Sequence, residues 1–295
     1  MTQPSAGDDT TKQIVATFKQ LPRRSAENAF PRSGGLADSL AKAAPDNGRG
    51  SVRVGVEVPR MFATAAIDIW LRGTHSLLVS ASLADASPIW ACVTSYYASH
   101  YSVRAFAHLL GHFQLHRKKC VTRLSFSNKE FACTFRQKTR TDSEHQFYWK
   151  VVKETSPFNN DPLFTSNNDR DDVGESRLRG FANYIDNLRN LPPFQSLNKP
   201  AIRQRLQRIA AIELSTYPAL SRDNFPDLEN SQLLAYHRIV RFRKHLDELL
   251  GTDVRFWSTH RQPDWVDGML DFQLVVPRGM DSLSHPTLGA VGRGS

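Results

Sequence analysis

From Met61 to Leu83 the apolar residues Met61, Phe62, Ala65, Ile69, Leu77, Leu78 and Ala81 return mostly every three to four positions. One buried helical face requires that period, so the spacing predicts a helix over 61–83. Ser87 followed by Pro88 is an N-cap with a proline at the first helical position, and Gly111 supplies a stop, which predicts a second helix over 88–110. Its core face reads Ile89, Val93, Tyr96, Val103, Ala107 and Leu110. Helical pattern returns over 176–189, 201–217 and 229–250, the last with Ala235, Ile239, Phe242, Leu246 and Leu249 on one stripe and Gly251 as its stop.

Between Cys120 and Lys153 the period shortens. VTRLSFS, EFACTFRQKT and HQFYWKVVK, separated at Asn128–Lys129 and at 141–143, predict a three-stranded antiparallel meander. A further strand is expected over 269–276. Residues 1–59 are rich in Ser, Gly, Pro and charge, and read as a loosely ordered N-terminal arm with a short helix near 11–20. The acidic, Asn-rich and Pro-broken stretch 155–175 reads as a long surface loop. The expected fold class is therefore α+β: a mainly helical bundle over 60–295, with the meander inserted at about 120–153 and the acidic loop at about 155–175, preceded by the arm at 1–59. There is no repeat period of the kind that builds solenoids.

Composition narrows the function classes. The chain has 295 residues, 40% of them apolar and 23% charged, which excludes a wholly disordered, collagen-like or fibrous protein. Three cysteines, Cys92, Cys120 and Cys133, cannot build a disulfide framework and point to a reducing compartment. The first thirty residues hold no apolar run, so neither signal peptide nor anchor is expected there. Gly73 to Val103 lacks Lys and Arg but is broken by His75, Asp85, Pro88 and His100, and reads as buried helix, not membrane span. A cytoplasmic protein without membrane contact is expected.

A net charge of +9 favours a polyanionic partner. Between Tyr101 and Glu154 eleven basic residues face four acidic ones. Arg117, Lys118, Lys119, Arg123, Arg136, Lys138 and Arg140 in this segment are candidates for phosphate contact. Phe126, Phe131, Phe135, Phe147, Tyr148 and Trp149 beside them would either stack on unpaired bases or fill the core. Arg203, Arg205 and Arg208 on one late helix and Arg238, Arg241, Arg243 and Lys244 on another form a second basic set, as ready to be a solvated face as a binding one.

Two constellations could carry chemistry. Tyr97, Tyr101, Arg104 and His108 succeed one another at spacings of four, three and four, along one stripe of the 88–110 helix. An Arg and a His held together suit RNA cleavage, the guanidinium gripping the scissile phosphate while the imidazole moves the proton. The alternative is that Arg104 packs against an acid and His108 pads the helix end. Arg238, Arg241 and His245 offer a second pair of the same type, flanking the apolar stripe of 229–250, with a solvated basic face as its alternative. His108, His112, His116 and Cys120 are spaced by four, but successive steps drift around a helix that Gly111 interrupts, so no metal site is assigned. Phosphate-binding glycine loops, nucleophile elbows and CxxC pairs are absent, Cys92 and Cys133 lie in apolar contexts, and no cofactor is expected. The cluster WSTHRQPDW, with His260, Arg261, Asp264 and Asp267, reads as a packed turn.

The stretch SPIWACVTSYYASHYSVRAFAHLLG, with paired Tyr96 and Tyr97, small residues at Ala98 and Ala105 and a Leu-Leu-Gly ending, resembles the YYA-type helix of HEPN-domain proteins. The resemblance covers about 25 residues at 87–111, a low-specificity pattern of tight helix packing. It implies a helical bundle of the kind common in prokaryotic toxin-antitoxin and antiviral defence systems. Many such proteins are metal-independent endoribonucleases whose Arg–His motifs meet in a dimer, which would make Arg104 with His108, or Arg238 with His245, the catalytic pair. No Asn, Asp or His follows Arg104 here, and Ile239 follows Arg238. The expected partner is nucleic acid, RNA before DNA, together with a protein from the same operon and assembly as a homo-oligomer or complex subunit. The alternative function is a non-catalytic subunit that binds nucleic acid or protein within a larger complex.

Overall fold

The computed structural model describes residues 6–19, 33–140, 142–155, 158–165, 199–211 and 228–250. They form an α+β chain that is mainly helical. In order come α1 (Ala6–Lys19), α2 (Ser33–Ala43), β1 (Gly50–Val54), α3 (Glu57–Leu83), α4 (Pro88–Leu109), β2 (His112–Leu115), β3 (Cys120–Ser127) and β4 (Glu130–Gln137). Then follow α5 (Glu144–Glu154), single helical turns at Phe158–Asn160 and Pro162–Thr165, α6 (Lys199–Ala211) and α7 (Leu228–Leu250). The chain divides into two compact units, one of Met1–Leu71, His100–Thr165 and Leu246–Asp253, the other of Arg72–Ser99, Ser166–His245 and Val254–Ser295.

The first unit contains the sheet, antiparallel throughout, in the order β1–β4–β3–β2. Because side chains alternate across a strand, the register sorts every residue onto one of two faces. Leu124 pairs with Cys133 and Cys133 with Val52, while Thr122 pairs with Phe135 and with Phe113. That face also holds Phe131, Leu115 and Cys120, and is buried. Phe113 meets Phe62 of α3 edge-on at 6.4 Å. Past the end of β2, the backbone N–H of Phe126 donates to Thr10 Oγ1 of α1 at 3.3 Å, so the helix finishes what the short strand leaves open.

Two expectations are corrected here. HQFYWKVVK is not a third meander strand but helix α5. Ser143 caps it, its hydroxyl oxygen accepting from the N–H of Gln146 while the hydroxyl donates to Gln146 Oε1. Phe147, Tyr148, Val151 and Val152 then recur at helical spacing and are all buried. The sheet takes its remaining strands from β2, directly after Gly111, and from β1, within the stretch expected to be a loose arm. In that stretch α1 buries Ile14 and Val15, and α2 buries Leu36 and Leu40, which ties 6–19 and 33–54 into the first unit. Part of the expected acidic loop is likewise packed, with Phe158 and Phe164 against Phe106 at 4.6 and 5.2 Å between ring centres. The helix expected over 176–189, the end of that expected over 201–217 and the strand over 269–276 lie outside the described residues.

In the second unit the described helical stretches share a polar thread through a buried interior. Arg205 Nε donates to Gln232 Oε1 at 2.7 Å, Gln232 Nε2 donates to Ser80 Oγ at 2.8 Å, and Ser80 donates to the carbonyl of Ala91 at 2.6 Å. The buried Gln232 amide and Ser80 hydroxyl thus both have partners, as a low-dielectric interior demands. Ala235, Ile239 and Phe242 of α7 are buried as the stripe predicts. Among the described residues no helix is long and apolar enough to cross a membrane.

Gly111 ends α4 for two reasons. Its φ of 80° lies in the left-handed region, and a Cβ there would sit 2.9 Å from the carbonyl oxygen of Leu124, whose own N–H donates to Gly111 O at 2.7 Å. Gly111→Ala combines backbone strain with a clash against a strand that cannot yield, and should cost about 1–3 kcal/mol of stability. Urea unfolding of the two proteins measures it, and an unchanged midpoint would contradict this packing.

Candidate nucleic-acid interface

Alternation that buries one face of the sheet turns the other outward. Ser51, Thr134, Arg123 and His112 form one cross-strand row, Arg53, Ala132 and Ser125 a second, and Arg136, Val121 and Gln114 a third. Over β2 this outer face is covered by α5 and the segment leading into it. The Gln114 N–H donates to Tyr148 Oη at 3.2 Å, and Gln114 Nε2 donates to Asp142 O at 2.6 Å. Over β1, β4 and the middle of β3 it is open, with Ser51, Arg53, Arg123, Thr134 and Arg136 exposed.

At one end of the sheet three segments converge. The Lys138 N–H donates to Lys119 O, Arg49 Nη2 donates to Gln137 Oε1, and Gln137 Nε2 donates to Asn47 O. The β2–β3 turn at 116–119, the segment 137–140 and the loop 45–49 therefore bring Arg49, Arg117, Lys118, Lys119, Lys138 and Arg140 together. Asp142 fastens this end. It accepts two bonds from Arg136 at 2.6 and 2.9 Å, and one each from the N–H and hydroxyl of Thr139 at 2.7 and 2.8 Å. The Arg136 bonds hold its carboxyl well below the usual carboxylate range.

Some of these cations are engaged and some are not. Arg117 meets Asp38 at 3.3 Å, Lys118 meets Asp46 at 3.8 Å and Arg53 meets Glu130 at 3.1 Å, all surface pairs of small worth. Among the described residues the side chains of Lys119, Arg123, Lys138 and Arg140 have no hydrogen-bond or ion-pair partner. Lys119 also holds a left-handed φ of 48°, where a glycine would sit without strain. Sequence reasoning missed Arg49 and Arg53, because both were assigned to the arm; the alternation of Val52 and Val54 with Ser51 and Arg53 is the signal that marks this strand.

The Arg104–His108 pair is brought together, and in a buried place. Arg104 Nε donates to His108 Nε2 at 3.3 Å, and Arg104 Nη1 meets Glu144 Oε1 at 2.6 Å with the guanidinium 5.2 Å from the centre of the Tyr148 ring. The other imidazole nitrogen, Nδ1, donates to the carbonyl of His112 at 2.9 Å. Both nitrogens are thus engaged within the protein, and only 1% of His108 is exposed. Burial first, and the Arg104 charge second, lower its pKa to about 3. General acid–base transfer favours a pKa near the working pH and a reachable nitrogen, and His108 has neither. His112 is likewise lowered to about 3, by burial and then by Arg123 and Arg136.

Arg238 and His245 are both buried in α7, and Arg238 Nη1 donates to Ser99 Oγ at 2.8 Å. Arg205 is spent on Gln232, Arg208 pairs with Glu229 at 2.9 Å, and Arg241 is half-buried. The side chain of Arg203 lies outside the described residues, as does the cluster at 257–265. Cys133 is fully buried, and burial pushes its thiol up to about 12. His116 turns to Glu144 at 3.6 Å, and among the described residues no three His, Cys, Asp or Glu side chains are grouped to hold a metal ion. Of the two readings of the aromatics, stacking or core, the structure has the core one: Phe131, Phe135, Phe147, Tyr148 and Trp149 are buried and Phe126 lies half-buried on the inner face.

Comparison with protein-family models, curated proteins and solved structures finds no match to this chain.

The two depressed imidazoles set a pH dependence. Unfolded, each takes up a proton near pH 6.5; folded, each stays neutral down to about pH 3. Between those values the unfolded chain binds more protons, so stability is full above about pH 6.5 and falls as the pH drops toward 3. At about pH 5 the loss from His108 alone is about 2 kcal/mol. Asp142, with its lowered pKa, adds a further loss only below the ordinary carboxylate range. Denaturant unfolding at a series of pH values checks this, and a flat profile from neutrality to about pH 5 would mean that the imidazoles are not buried.

Proposed function

We propose that this chain is a non-catalytic nucleic-acid-binding protein, working in the cytoplasm as a subunit of a larger assembly, in which the HEPN-like helix α4 serves as scaffold and not as active site. The observation that carries the reading is the gathering of Lys119, Arg123, Lys138 and Arg140, cations without side-chain partners among the described residues, on the open face and adjoining end of one sheet. Exposed cations left without carboxylates are what a polyanion would neutralise, releasing its own counter-ions as it binds. The buried and internally bonded His108 supports the non-catalytic side of the proposal.

Two substitutions separate binding from folding. Lys119→Gly removes a cation while relieving a left-handed backbone, so stability should stay within about 1 kcal/mol of the parent. Arg140→Glu reverses an exposed charge. Incubation of the purified protein with labelled total RNA, with and without EDTA, should give intact but retarded RNA, and both variants should weaken the retardation and flatten its salt dependence. Metal-independent cleavage that disappears in His108→Ala would restore the endoribonuclease reading, and absence of retardation would sink the nucleic-acid reading altogether.

A further inference from the structure

We infer that the open sheet face takes the phosphate backbone of a double helix and leaves the bases unread. This rests on the nucleic-acid reading above and narrows its ligand to one class. Binding of a single strand without sequence preference relies on aromatic platforms, each stacked base contributing about 1–3 kcal/mol. This face has none. Phe113, Phe131 and Phe135 point inward and are buried, and Phe126 shares their face. The α5 aromatics are buried too, and the only large apolar side chain exposed among the described residues is Val56.

What the face presents instead are short hydroxyls and guanidinium groups. Ser51 and Thr134 lie in one row with Arg123, Ser125 lies in the next row with Arg53, and Arg136 stands diagonally from Arg123 across β3 and β4. These are the side chains that contact phosphate and sugar oxygens and carry no sequence information themselves. Diagonal neighbours across antiparallel strands are about 7–8 Å apart, so the cations are spread along the surface and do not converge on one small anion. Glu130 and Asp142 hold Arg53 and Arg136 in place, and among the described residues Arg123 has no hydrogen-bond or ion-pair partner. With no stacking to draw a single strand, charge density decides. A duplex carries one phosphate charge per about 1.7 Å of axis, twice the density of a single strand.

Fluorescence anisotropy on the full chain tests the inference with three probes of one mixed sequence: an RNA duplex, a DNA duplex and an unstructured single strand, each over a salt series. Both duplexes should bind several-fold more tightly than the single strand. Arg123→Ala, at an exposed position, should keep the parent thermal midpoint and lower the slope of log affinity against log salt on a duplex by about 0.9. A preference for the RNA duplex would assign the hydroxyl side chains to its 2′-OH groups; equal affinity would assign binding to phosphates alone, and either supports the inference. A single strand bound as tightly as the duplexes, or an unchanged slope in Arg123→Ala, would overturn it while leaving nucleic-acid binding intact. Failure of all three probes to bind would instead remove the reading on which it rests.

Discussion

A guanidinium taken half out of water needs a counter-charge close by, and the way Arg104 meets that need holds the first unit together. Glu144 supplies the charge at 2.6 Å, the Tyr148 ring covers one side and His108 accepts from Nε. The partners come from two helices, His108 from α4 itself and Glu144 and Tyr148 from α5. His108 sits one turn before the Gly111 stop and is bonded to the first residue of β2, and Glu144 opens α5. Arg104 thus joins α4 to α5, and His108, bonded to it, joins both to β2. The position of α5 over β2 follows, and with it the division of the outer sheet face into a covered side and an open one.

That arrangement has a chemical consequence. A histidine whose two nitrogens are both bonded internally, and whose pKa burial brings to about 3, is a brace; it stays neutral through the physiological range. The residue types that suit RNA cleavage are present and adjacent, and they are bonded to one another, to Glu144 and to the His112 carbonyl. Charge available to a partner has to come from side chains that no internal bond consumes. On the described sheet and its turns these include Lys119, Arg123, Lys138 and Arg140, and the same alternation that buries Phe131, Cys133 and Phe135 turns Arg136 and Thr134 outward.

Local punctuation decided how much of this was legible in the sequence. Helices α3, α4 and α7 could be read because their apolar residues keep one period, and Pro88 and Gly111 mark the ends of α4. Strands β3 and β4 could be read because they alternate around Asn128 and Lys129, whose φ values of 51° and 64° match the paired left-handed residues of a tight hairpin turn. FYWKVV satisfies both periods, and only the Ser143 cap and its Gln146 partner tip it to helix. β1 is five residues in a polar stretch, stabilised by pairing with a strand far along the chain, which local pattern does not reveal. The same limit applied to the site. Spacing placed Arg104 beside His108 correctly, but burial, which settles what such a pair can do, depends on Glu144 and Tyr148 arriving from elsewhere.

Lys119 bears on whether the basic face is incidental. It occupies a left-handed turn position at which glycine would remove the backbone strain, and among the described residues its side chain gains no bond that would offset that strain. A solvated surface chosen only for solubility could carry its charges at any unstrained position. Here an unpaired charge stands at a strained one, in the turn that joins Lys138, Arg140 and Arg49 at one end of the sheet, while Asp142 holds the neighbouring segment in place from beneath. The left-handed conformation serves the turn itself, the Lys119 N–H bonding to the carbonyl of His116 and the Lys119 carbonyl accepting from Lys138, and it sets the Lys119 charge beside the neighbouring cations.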